Sequence, residues 1–128
     1  MEDHQVQKTR TGLDRIARAF GISMQGLKAA WLEKAFRQEV RLSVVMVPAA
    51  LLLGRSWIET MMMLTSVGLV LICEIANSAL EAVVDRIGPE FHVLSGRAKD
   101  MGSAMVFVSL VLCVLAYGGV IAGRLLTH

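Results

Sequence analysis

The chain has 128 residues, of which 55% are hydrophobic, 5% aromatic and 19% charged, with a net charge of +2. A mean hydropathy of +0.57 argues against a soluble globular domain and for a single membrane domain, residues 1–128, with several spans. Eight of the thirteen Lys and Arg residues fall in residues 1–41, with no run dense enough for nucleic acid, so anionic lipid suits this charge better.

Residues 1–11 are polar and are expected to fray. Leu13, Ile16, Ala17 and Phe20 follow a helical repeat, and Gly21 is a plausible stop. Ser23 is positioned to cap a second helix, with Ile22 stapled onto Leu27. Region 12–36 therefore reads as a basic amphipathic segment in the membrane interface, with Trp31 at headgroup level. An amphipathic helix packed on the protein itself is the alternative. Nothing in the first forty residues resembles a signal peptide, so the chain is expected to insert through its own spans.

Spans are predicted at about 38–54, 57–87 and 98–125. The uncharged part of the first, 42–54, is 13 residues, or about 20 Å of helix against a hydrocarbon core of ~30 Å. Glu39 and Arg41 must then approach the membrane boundary, and Pro48 is a candidate kink. Gly54-Arg-Ser56 reads as a tight turn. The second helix is roughly 48 Å long, more than the bilayer needs, and ends at Gly88-Pro89. With Trp57 and Glu59 at one interface, Glu74 lies just inside the hydrocarbon, Glu81 at its boundary and Asp85 in water. The stretch 89–96 reads as a short polar loop. The third span has 23 uncharged residues, 101–123, with Gly119 and Gly123 spaced for close helix contact. Cys73 and Cys113 sit in apolar runs without metal or redox spacing, and are expected to be buried thiols. His128 is assigned no role. Lys and Arg residues concentrate in the N-terminal region and in 86–99, against Arg55 and Arg124 elsewhere. This places the N-terminus and the 86–100 loop in the cytoplasm.

On a helix, Glu74, Glu81 and Asp85 fall within roughly 40° of one another, flanked by Asn77 and Ser78. Ionisable groups are costly in membrane segments, so this face is either an interhelical salt-bridge network or a functional site. The unusual polar groups gather toward one side of the membrane: Glu33, Glu39, Glu74, Asn77, Glu81, Asp85, His92, Lys99 and Asp100. Carboxylates with an Asn and a Lys suit Mg²⁺ completed by nucleotide phosphate, and a carboxylate at the hydrocarbon edge suits a general base for a lipid alcohol. No phosphate-loop or protein-kinase motif is present. The residues alone reach acid and metal chemistry at a membrane interface.

Glu74-Ile-Ala-Asn-Ser-Ala-Leu-Glu-Ala-Val-Val-Asp-Arg-Ile87, followed by Ser95-Gly-Arg-Ala-Lys-Asp-Met-Gly-Ser103, resembles the signature of the prokaryotic diacylglycerol kinases. Gly26-Leu-Lys-Ala-Ala-Trp31 and Ala35-Phe-Arg-Gln-Glu39 resemble that family's N-terminal part, so the likeness runs from about Gly12 to the end. The resemblance implies an all-α homotrimer, each chain with an amphipathic interfacial helix and three transmembrane helices. It implies transfer of the γ-phosphoryl group of MgATP to diacylglycerol, giving phosphatidic acid for phospholipid synthesis, in the bacterial inner membrane. It further implies Glu74 as general base and Asn77 as a catalytic partner, with Glu33 and Glu81 holding Mg²⁺. Arg15, Glu90, His92, Lys99 and Asp100 would contact the nucleotide, and Trp31, Glu39, Glu74 and Ser103 the lipid.

Three departures stand out. Phe91 replaces the family's usual Tyr, and Ile22 replaces an aromatic residue. The stretch between Trp31 and Phe36 is one residue short, so counting from Phe36 selects Glu33 and counting from Trp31 selects Lys34. A Lys cannot bind Mg²⁺, which favours Glu33. Undecaprenol kinase is the alternative within this fold. A small multidrug-type transporter or a pore subunit would instead carry its carboxylate near the bilayer midplane. Blander readings are His92 as a loop residue, Asp85 and Arg86 as a helix-end pair, Met61 to Met63 as span filler, and Trp31 and Trp57 as interface anchors.

Overall fold

The structure is a computed structural model that describes residues 12–127. The polar stretch 1–11 and His128 lie outside the described residues. Among the described residues the fold is all-α, with helices α1 (Gly12–Trp31), α2 (Lys34–Leu53), α3 (Trp57–Ile87) and α4 (Val93–Leu126). The chain divides into two compact units between Leu32 and Glu33.

The first unit contains α1. The expected stop at Gly21 and second start at Ser23 do not occur, because the helix is continuous. Gly21 keeps a negative φ, and the Ser23 hydroxyl donates back to the Ala19 carbonyl (2.9 Å) rather than capping a new helix. Leu13, Ile16, Phe20 and Leu27 are exposed, as an apolar stripe awaiting a membrane or a partner would be.

The second unit is a three-helix bundle in which α3 packs most extensively on α4, then on α2. Pro48 sits inside α2 and lacks the N–H that would bond the Val44 carbonyl. Beside it, the Tyr117 hydroxyl of α4 donates to the Met46 carbonyl (2.7 Å). Ser56 accepts from the Glu59 amide (3.3 Å) at the start of α3, and Gly88 closes its end, both where the sequence signals place them. Helix α4 begins earlier than expected. His92 Nδ1 accepts from the Leu94 amide (3.1 Å) as its N-cap, so 93–96 form the first turn rather than a loop. His92 is therefore a capping residue as well as a loop residue.

Met63 is fully buried, and around it lie Ala50, Val67, Val70, Cys113, Tyr117 and Val120. Cys73 and Cys113 are buried free thiols, as expected. Among the described residues, no other helix packs against the Cβ positions of Gly119 and Gly123. A Cβ at Gly119 would meet nothing within 4 Å, and one at Gly123 would meet the Arg55 guanidinium.

Among the described residues, α3 and α4 are long and apolar enough to cross a membrane, and only 22% of the apolar window of each is buried. A core helix of a soluble protein would be mostly buried, so these surfaces need lipid or neighbouring chains. Helix α2 carries Lys34, Arg37, Glu39 and Arg41 in its first half, which leaves only its second half uncharged.

Candidate active site

Helix α3 arrives at one end of the bundle carrying Glu74, Asn77, Glu81 and Asp85, and α2 starts at that same end with Glu33 and Glu39. Glu74 is buried, at 5% exposure. Its charge interacts with those of Glu39, Glu81 and Glu33, so the packing of α2 on α3 gathers four carboxylates around one position. The side chains of Glu33, Glu39 and Glu74 form no hydrogen bond or ion pair among the described residues. Glu33 occupies the N-cap position of α2, yet its side chain caps nothing and stays available.

Asn77 Nδ2 donates to Glu81 Oε1 at 3.4 Å, while Asn77 Oδ1 is buried and has no partner among the described residues. The sequence paired Asp85 with Arg86. The structure pairs it instead with Lys99, Nζ to Oδ1 at 2.9 Å, because the loop after α3 folds α4 back alongside it. The Lys99 charge also interacts with Glu81, linking the pair to the acidic group.

Two clefts flank these carboxylates. One is walled by Asp85, Glu90, Phe91, His92, Ser95, Gly96 and Lys99 among others. Asp85, Glu90 and Lys99 give it its charges, and Nδ1 of His92 is occupied in capping α4. The other is narrow, with Glu39 and Ser43 in a wall otherwise made of apolar groups such as Leu42, Met46, Val67, Val70, Leu71 and Leu110. Along α3, the buried Glu74 lies between the residues that line the apolar cleft and those that line the charged one, and itself lines neither.

The model of the family described as prokaryotic diacylglycerol kinase matches residues 21–121. A diacylglycerol kinase of Escherichia coli (strain K12) is 51% identical over 108 residues, covering 84% of this chain and 88% of that protein. One from Haemophilus influenzae is 47% identical over 112 residues, covering 87% and 95%. One from Pseudomonas aeruginosa is 47% identical over 117 residues, covering 91% and 95%. The chain belongs to the prokaryotic diacylglycerol kinase family.

A diacylglycerol kinase needs sites for a nucleotide, a lipid and a base. Of the expected site residues, Glu33, Glu39, Glu74, Asn77, Glu81 and Lys99 come together around the acidic end of the bundle, and Glu90 and His92 wall the adjoining charged cleft. Asp100 and Ser103 are exposed on α4 and line neither cleft. Arg15 and Trp31 lie on α1, in the other unit.

Among the described residues no group of three or more His, Cys, Asp and Glu side chains converges closely enough to hold a metal ion. The donor set nonetheless fits Mg²⁺, which takes one or two carboxylates together with phosphate oxygens and water rather than an all-protein cage. Glu74 with the charges of Glu39, Glu81 and Glu33 acting on it, and Lys99 as the nearby cation, is a charge distribution that a divalent ion would offset. Sequence reasoning missed two features of this site. The Asp85–Lys99 pair spans 14 positions, and no local pattern signals it. Gly102 packs directly on Asn77; its signal was an isolated glycine at the foot of a helical span.

Proposed function

We propose that this protein transfers the γ-phosphoryl group of ATP to diacylglycerol, giving phosphatidic acid, at the cytoplasmic face of the bacterial inner membrane. The observation that carries the reading is the buried Glu74, whose side chain has no partner among the described residues and on which the charges of Glu39, Glu81 and Glu33 act. Diacylglycerol presents its primary hydroxyl to Glu74, with Glu39 and Ser103 on the lipid side. Glu74 accepts the hydroxyl proton as the oxygen attacks the γ-phosphorus. The bond from that phosphorus to the bridging β,γ oxygen breaks, and ADP leaves with the electron pair. Lys99 exchanges its bond to Asp85 for phosphate oxygens, and Glu90, His92 and Asp100 orient the nucleotide. Asn77 steadies Glu81. Glu33 and Glu81 would hold Mg²⁺, which neutralises phosphate charge when bound.

The working assembly is a homotrimer in which each chain contributes three spans, the shortest being the uncharged half of α2. The exposed apolar surfaces of α3 and α4 support an assembly of this kind. The test is phosphate transfer from γ-labelled ATP by the purified protein in mixed micelles, with diacylglycerol and undecaprenol offered separately. Labelled phosphatidic acid that depends on Mg²⁺ is expected. Label on undecaprenol alone changes the substrate, and a folded protein that labels neither lipid refutes the kinase reading.

A further inference from the structure

We propose that Gly102 is a positioning residue for Glu81, acting through the side-chain amide of Asn77. The inference rests on the reading of Glu81 as a holder of Mg²⁺.

Gly102 is buried on α4 where that helix packs against α3. A Cβ built there would collide with Asn77 Oδ1, and would lie 3.3 Å from Asn77 Cγ and 3.5 Å from Leu80 Cδ1. The Asn77 amide thus occupies the space that any other residue at 102 would fill. Its oxygen, buried in that space, has no hydrogen-bond partner among the described residues. The space over Gly102 admits that end of the amide, and the carboxylate at the other end decides which way round it sits. The consequence falls on the other end, where Nδ2 faces Glu81 Oε1 at 3.4 Å. With the oxygen seated over Gly102, the amide presents a donor to Glu81. Rotated or flipped, it would present an acceptor to a carboxylate, which repels. The donor engages Oε1 and leaves Oε2 of Glu81 for a cation.

Glycine is a poor helix former, so its place in the interior of α4 calls for a reason. Other glycines of the helix lack this one. A Cβ at Gly118 or Gly119 would meet nothing within 4 Å.

The experiment compares the wild-type chain with Gly102→Ala and Gly119→Ala in detergent micelles. Two quantities are read: the rise in melting temperature that Mg²⁺ produces with a non-hydrolysable ATP analogue present, and the Mg²⁺ concentration giving half-maximal phosphate transfer. A folded Gly102→Ala is expected to show a smaller Mg²⁺-induced rise and a half-saturating Mg²⁺ about tenfold higher, the scale of one hydrogen bond to a charged group. Its KM for diacylglycerol is expected to stay unchanged, as are the Mg²⁺-induced rise and the half-saturating Mg²⁺ of Gly119→Ala. A folded Gly102→Ala with wild-type Mg²⁺ dependence overturns the proposal. Should Gly102→Ala fail to fold, the double variant with Asn77→Ser, whose shorter side chain clears the added methyl, is expected to restore the melting temperature of Asn77→Ser alone. A double variant as unstable as Gly102→Ala also overturns it. Failure of the kinase reading itself would look different: the wild-type chain would transfer no phosphate at all.

Discussion

The two ends of the bundle treat their charges in opposite ways. At the end away from Glu74, Arg55 bonds Thr127 and pairs with Glu59 at 3.6 Å, and its backbone amide donates to the same carboxylate. Arg124 donates to the carbonyls of Leu52 and Leu53 (3.0 and 3.2 Å), which the end of α2 leaves open. Each of these side chains ties one helix end to another group. At the acidic end, the side chains of Glu33, Glu39 and Glu74 have no such partners among the described residues, and the charges of Glu39 and Glu33 act on Glu74. Charges satisfied within the chain serve the fold. Charges gathered and left unsatisfied reduce stability, and persist where a ligand or a reaction uses them.

The contrast can be broken by exchanging roles between the ends. The largest effect is expected at Glu74: Glu74→Gln should lower turnover by about 10² to 10⁴-fold, the range for loss of a general base, while the melting temperature holds or rises as like-charge repulsion is relieved. Next, Glu81→Gln should raise the half-saturating Mg²⁺ at least about tenfold, the scale on which metal sites respond to altered ligation, as read from an Mg²⁺ titration of the initial rate. Arg124→Ala at the opposite end should destabilise the chain by about 1–2 kcal/mol through its lost bonds to the α2 carbonyls, measured by denaturant unfolding in micelles, with turnover of the folded fraction unchanged. Tyr117→Phe should cost about 1 kcal/mol for the bond to Met46 in the same measurement. The smallest stability change is expected from Asp85→Asn, because exposed ion pairs contribute little; a large loss of stability there would blur the distinction between the ends.

How much of this was legible in the sequence depends on the range of the interaction. The bounds of α3 were readable because Ser56 and Gly88 act on their own neighbours. The acidic face was readable because helical periodicity alone aligns Glu74 with Glu81. The early start of α4 was missed because an imidazole, His92, does the capping that a hydroxyl or carboxylate more often does. Gly21 misled because a glycine with ordinary negative φ does not end a helix. The approach of Glu33 and Glu39 to Glu74, the Asp85–Lys99 pair and the seating of Asn77 on Gly102 all depend on how helices pack. Periodicity along one helix carries no information about them. For the candidate site, the acidic motif identified the family and the chemistry, and the packing supplied the group around Glu74.

The most direct test sets Glu74→Gln beside Arg124→Ala, with phosphate transfer to diacylglycerol and unfolding stability measured on the same preparations. The account predicts that Glu74→Gln stays folded and loses transfer, while Arg124→Ala loses stability and keeps transfer per folded molecule. A folded Glu74→Gln that transfers phosphate at the wild-type rate would contradict it.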